Sequence, residues 1–203
     1  MKSLPKLHPL RRAWEAWQRG DADATWRHYP YAVADAPDDA EALQTLGYLA
    51  LELEDDNTAA LSLAKASLLA PGSPETAMLL GVALRRKGVR DRAVECFERA
   101  LRLRPQWPDC INNLAVTLEE LGRYEEALAW VERGLADAPD DVDLLNERGC
   151  LLAALGRHEE AIAAYEGALA ADPHFEPARL NLADVLRARK ITPCPPPDER
   201  FLF

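Results

Sequence analysis

The stretch PDCINNLAVTLEELGRYEEALAWVERGLADAPDD, residues 108–141, decides how the chain is read. Leu114, Ala115 and Leu118 fall at i, i+1 and i+4, one face of a first helix. Gly122 follows where that helix must stop, because a left-handed residue closes a helix end and glycine adopts that conformation at little cost. A second amphipathic run spans about Tyr124 to Asp137, with Ala127, Val131 and Gly134 on its inner face. Pro139 closes it, since proline cannot continue a helix interior. The unit predicted is a helical hairpin, with small residues where the two axes cross.

The unit recurs. Pro37, Pro71, Pro105, Pro139 and Pro173 are each 34 residues apart. Small residues keep the same period at Ala13, Gly47, Gly81, Ala115, Gly149 and Ala183. Ala59, Ala93, Ala127 and Ala161 form a second column, with Thr25 in the equivalent earlier place. Ala32, Ala66, Ala100, Gly134 and Ala168 form a third, each preceded by three residues by a large side chain: Tyr29, Leu63, Phe97, Val131 and Tyr165. Gly20, Gly88 and Gly156 repeat the stop at Gly122.

This period, with its small–large–proline order, resembles the tetratricopeptide-repeat family over residues 6 to 190. The resemblance implies an all-α fold, a right-handed superhelical solenoid of helical hairpins with a C-terminal capping helix. The units are 40–73, 74–107, 108–141 and 142–175, after a degenerate first unit at 6–39. The capping helix, 176–190, keeps Leu182, Ala183 and Leu186 and turns Arg187, Arg189 and Lys190 outward, as a solenoid end meeting solvent requires. The tail, 191–203, breaks the period. Cys194-Pro195-Pro196-Pro197 predicts an extended stem and Phe201-Leu202-Phe203 an apolar tip, either unstructured or docked in a neighbouring copy's groove or on the last helix.

Three departures carry expectations of their own. Pro30 lies inside the second helix of the first unit and predicts a kink there. Glu54-Asp55-Asp56-Asn57 replaces the glycine stop and predicts a looser or longer bend. Arg12 and Arg148 stand in the column of Leu46, Leu80 and Leu114, so each must reach solvent or an acidic partner.

Composition narrows the function classes. The chain has 203 residues, 48% of them apolar, and a net charge of −10, a field that repels phosphate backbones and argues against nucleic acid. Cys96, Cys110, Cys150 and Cys194 form no C-x-x-C pair and read as reduced thiols of a cytoplasmic protein. No signal peptide or membrane-spanning segment is read, so no membrane insertion is expected. His8, His28, His158 and His174 lack metal-ligand spacing, and no phosphate loop or G-x-S-x-G elbow occurs. His158 and His174 sit at turn positions and read as solvated. The expectation is a protein that is not an enzyme and carries no cofactor.

What the resemblance implies is a protein–protein interaction scaffold or adaptor whose first helices line a concave groove for a peptide or protein segment. Carried over by register, the groove residues are Gln44 and Tyr48, then Met78, Val82 and Arg85, then Asn112, Asn113 and Val116. Asn146, Cys150, Asn181 and Asp184 continue the row. Asparagines there would bridge a peptide's N–H and C=O groups; the plainer reading is a wet polar helix face. The family's lysine-and-asparagine clamp for chaperone tails is not matched, because Leu10, Trp14, Gln44 and Tyr48 occupy the corresponding early positions. Two alternatives stay open: a dedicated chaperone for a secreted or aggregation-prone client, and a targeting subunit of an enzyme complex.

Charge and aromatic content add two further candidates. Residues 74–107 carry eight basic side chains against four acidic, and 108–141 carry nine acidic against two basic. That contrast suits an acidic ligand or a second copy of the chain, although cations at helix C-termini and anions at N-termini account for much of it. Trp14, Trp17, Trp26, Tyr29 and Tyr31 crowd the first unit. Trp14 and Trp17 fall on the groove side, as candidate binding anchors. The favoured reading is a seal over the core of the terminal unit, or coverage by residues 1–9. A homo-oligomer through the tail or terminal units is a further reading.

Overall fold

A computed structural model describes Pro5 and residues 8–191, with side chains as far as Arg187. Eleven helices occupy these residues in the order α1 (Pro9–Gln18), α2 (Ala22–Ala34), α3 (Ala40–Glu52), α4 (Asp56–Leu69), α5 (Pro74–Arg86), α6 (Arg90–Leu103), α7 (Pro108–Glu120), α8 (Tyr124–Asp137), α9 (Val142–Ala154), α10 (His158–Ala171) and α11 (Glu176–Ile191). No strand occurs among the described residues. The helices form an all-α repeat solenoid, and they fall into two compact units, one ending at Leu121 and one beginning at Gly122. Arg189, Lys190 and the tail, with the expectations placed on them, lie outside the described side chains.

Local chemistry sets the helix boundaries. Asp21, Asp39, Asp55, Ser73 and Asp141 each accept a hydrogen bond from the backbone N–H three residues on, the N-cap interaction worth about 1 kcal/mol. Proline takes the first helical position of α1, α5 and α7, where its missing N–H costs nothing. Gly20, Gly88, Gly122 and Gly156 stop their helices at φ between 71° and 76°.

The turn between α3 and α4 corrects the expectation of a loose or long bend. Glu54 adopts φ 59°, taking the glycine position itself. Asp55 N–H donates to Ala50 O, matching Asp21 to Ala16, Val89 to Leu84 and Arg157 to Leu152. The bend therefore has the same closure as its glycine counterparts. Asp55 caps α4 through Thr58 N–H at 3.0 Å, and the Tyr29 hydroxyl donates to its other oxygen at 2.8 Å. That bonding holds the turn while Glu54 carries a left-handed backbone costing about 1–2 kcal/mol. In α2 the helix continues through Pro30 to Ala34.

Inside the α3–α4, α5–α6 and α9–α10 hairpins, the small first-helix column meets the large second-helix column. A Cβ placed on Gly47 would lie 2.5 Å from Leu63 Cγ, and one on Gly81 2.6 Å from the Phe97 ring. Gly149 stands in the same relation to Tyr165. Phe97 and Tyr165 are among the largest fully buried side chains, so the missing Cβ atoms create the room they fill. Leu114, Ala115, Leu118, Ala127 and Val131 are also completely buried. In the arginine column Arg12 is exposed and Arg148 is half-buried; the Glu160 carboxyl pKa is lowered first by its hydrogen bond from Arg157 and then, in smaller part, by the Arg148 charge.

Candidate interaction surface

In the first unit, α1, α3, α5 and α7 contact one another in succession, each one repeat further along the chain. Gln44 and Tyr48 lie on α3; Met78, Val82 and Arg85 on α5; Asn112, Asn113 and Val116 on α7. All eight are half-buried, the state of side chains that form a surface while resting on a core. In the second unit, α9 carries Asn146 and Cys150, and α11 carries Asn181 and the exposed Asp184.

Many of these polar groups already have partners. Gln44 Oε1 accepts the Thr76 hydroxyl at 2.7 Å, tying α3 to α5. Asn113 donates to the Asp109 carbonyl at 2.8 Å, one turn back on its own helix. Asn181 donates to Asn146 Oδ1 at 3.0 Å and reaches Cys150 Sγ at 3.4 Å, which brings three predicted residues together. Asn112 makes no side-chain hydrogen bond to another described residue.

Apolar side chains dominate the rest of the first-unit row. Trp14 and Trp17 stack with centroids 5.1 Å apart, and both present edges to Tyr48, at 5.8 and 5.5 Å. Trp17 also packs on the buried core, so the cluster seals the first unit while keeping part of three rings accessible. Burial, then the Glu52 carboxylate, raises the Tyr48 phenol above its ordinary pKa and keeps it a neutral donor. Met78, Val82 and Val116 extend the row.

The basic block at 74–107 is largely consumed within the fold. Arg85 and Arg90 both bind Glu120, at 3.1 and 2.6 Å. Arg86 donates to the Leu51 carbonyl at 2.8 Å, Lys87 to Asn57 at 2.6 Å and Arg99 to Ser67 at 2.7 Å. Arg104 pairs with Glu75 and lies over the Trp107 ring. Burial opposes the Glu120 charge, but the hydrogen bonds from Arg90 and Arg85 outweigh it and hold its carboxyl below the usual range. Glu119 beside it is raised, first by burial and then by the Glu120 charge. Sequence reasoning passed over both glutamates. The available signal was that Arg85 and Glu119 occupy one 34-residue column, which puts Glu120 a turn's width from Arg85.

Nothing in the described residues arranges three or more His, Cys, Asp or Glu side chains to hold a metal, and no described helix is long and apolar enough to cross a membrane. His174 is exposed, whereas His158 is half-buried at the start of α10, a correction to its reading as solvated.

Two family models, both described as tetratricopeptide repeat, match residues 73–140 and 142–175, together half of the chain. The chain belongs to the tetratricopeptide-repeat family, a family of protein–protein interaction scaffolds. No curated protein matches it. Among solved structures, it is similar to MamA at 23% identity and a TM-score of 0.70, over 78% of this chain and 93% of that one. It is similar to TTC0263, a thermophilic repeat protein of Thermus thermophilus, at 26% identity and a TM-score of 0.65, over 90% of this chain and 100% of that one. YrrB, described as having an unusual peptide-binding site, aligns at 21% identity and a TM-score of 0.62, over 80% and 84% of the two chains.

Proposed function

We propose that the chain is a non-enzymatic scaffold or adaptor, and that its first-helix face takes an extended peptide or protein segment. The observation that carries the reading is the row of half-buried apolar side chains from Trp14, Trp17 and Tyr48 through Met78 and Val82 to Val116, with the amide of Asn112 beside it. Half-buried aromatic and aliphatic groups on a rigid frame bind at low entropic cost, because their rotamers are already restricted. A nearby amide with unused donors and acceptor fixes the direction of a bound backbone. YrrB, a protein of the same fold, is described as having a peptide-binding site, which supports a peptide as the class of ligand.

Chemistry along this face favours apolar anchors over a carboxylate. Its one arginine, Arg85, is already paired with Glu120, and Glu119 adds an acidic group beside it. The test is selection from a random peptide library displayed on phage. Enriched peptides carrying aromatic or aliphatic anchors should bind the protein and lose binding to Val82→Arg and Trp14→Ala variants of unchanged helicity. Equal binding to the wild type and both variants would remove the first-helix face as the site.

A further inference from the structure

The second helices carry a surface that the peptide-binding reading leaves unused. Leu68 and Leu61 on α4 are 82% and 60% exposed, and Leu69 beside them is exposed too. Positions equivalent to Leu61 in the other second helices hold Arg27, Glu95, Ala129 and Ala163, and those equivalent to Leu68 hold Ala34, Arg102, Ala136 and Ala170. Every one of these is exposed, so the site faces outward in each repeat. Only α4 places a large apolar side chain at both positions. Two leucines left in water forgo the hydrophobic gain that burial would bring.

Next to α4 lies α6, joined to it by the Arg99–Ser67 hydrogen bond. An open cleft of about 560 Å³ runs between them, with Leu68 on one wall and Glu95, Arg99 and Arg102 on the other. Neither Glu95 nor Arg102 forms an ion pair with another described residue. The face mixes both signs of charge on a chain whose net charge is −10.

We infer that this α4–α6 face pairs with the same face of a second copy, about a two-fold axis that crosses both helices and runs each antiparallel to its mate. An isologous interface must be self-complementary, and the 34-residue period makes this one so. Setting Leu61 against Leu68 of the second copy buries the α4 leucines on each other. Because α6 repeats α4 one period later, that same register sets Glu95 against Arg102 of the second copy, and Glu98 against Arg99. One register thus satisfies the apolar helix and the charged helix together. Lys65 is exposed on the same face near the axis, and its flexible stem lets the two ammonium groups part to the rim of the interface. Two 14-residue helices, each ~21 Å long and ~10 Å wide, make a small interface, for which association in the micromolar range is expected.

Sedimentation velocity across a micromolar concentration series tests the pairing, with circular dichroism confirming that each variant is folded. The wild type should shift from the 22.5 kDa chain mass toward twice that value as concentration rises. Leu68→Glu should stay at the single-chain mass throughout. Glu95→Arg and Arg102→Glu should each raise the Kd about tenfold by placing like charges across the axis, and the double swap Glu95→Arg/Arg102→Glu should restore it. A wild type that remains a single chain at every concentration overturns the proposal and leaves the leucines to a different protein. Dimers that survive Leu68→Glu, or single swaps that weaken pairing without rescue in the double swap, overturn it equally.

Discussion

Gly81 and Phe97 occupy one volume: a methyl group on the first would sit 2.6 Å from the ring of the second. The phenyl ring is completely buried, and it reaches that position because α5 and α6 approach without a side chain between them. The same relation links Gly47 to Leu63 and Gly149 to Tyr165, so it is a property of the repeat.

Gly81→Ala should therefore destabilise the protein. Alanine gains about 0.5–1 kcal/mol of helix propensity over glycine, while overpacking costs about 1–3 kcal/mol, so the net effect should be a loss near 1–2 kcal/mol. Gly167 is the control. A Cβ there meets only Leu145 at an ordinary 3.7 Å, and Gly167→Ala should stabilise by the propensity term alone. Urea unfolding of both variants checks the opposite signs.

Glu54→Gly should stabilise by about 1 kcal/mol, because it removes a left-handed backbone from a residue with a Cβ. The turn hydrogen bonds do not involve the Glu54 side chain, so they persist. A lower melting temperature for this variant would show that the side chain contributes more than its backbone strain costs.

Acid sensitivity should run through Glu120. Its carboxyl pKa is depressed in the folded state, so its contribution is complete above the unfolded glutamate value of about 4.3 and is lost as pH falls through the lower folded value. Arg90→Gln removes one of the two guanidiniums responsible. It should be less stable than wild type at neutral pH, and the difference should close as pH drops below the ordinary glutamate range. Chemical denaturation at a series of pH values measures that gap. A gap independent of pH would assign the loss to packing of the Arg90 stem.

The cysteines should separate by reactivity. Cys110 is fully buried, its thiol pushed up to about 12 by burial and then by Asp109, and it lies 3.7 Å from the Phe97 carbonyl. Cys96 is half-buried and its pKa is raised by burial, with Arg99 and Arg92 pulling the other way. Iodoacetamide should label Cys96 in the folded protein and Cys110 only on unfolding, as read by mass spectrometry of peptides. Equal labelling rates would mean that α7 opens locally under native conditions.

What the sequence by itself determined is everything that rests on the 34-residue period: the hairpins, the glycine stops and the pairing of a small column with a large one. These are local or nearest-neighbour properties, written into spacing because helix geometry has a constant 3.6-residue turn. Most of the candidate row was legible for the same reason, since register places Tyr48, Met78, Val82 and Asn112 on first helices. Three matters were decided only by tertiary structure. The arginines of 74–107 looked like a charged patch until the closing of their own hairpin brought Glu75, and its neighbours brought Glu120 and the Leu51 carbonyl, within reach, 29 to 35 residues away. Glu54 reads as a broken turn, but Asp55, capped into α4 and bound by Tyr29, holds the backbone in the glycine conformation. Finally, α4 spreads its leucines and alanines around the whole helix, so periodicity has no polar face to indicate which leucines point outward. The 34-residue column already marks Leu63 as core; only the packing of α4 against α3 and α5 shows that Leu61 and Leu68 are exposed.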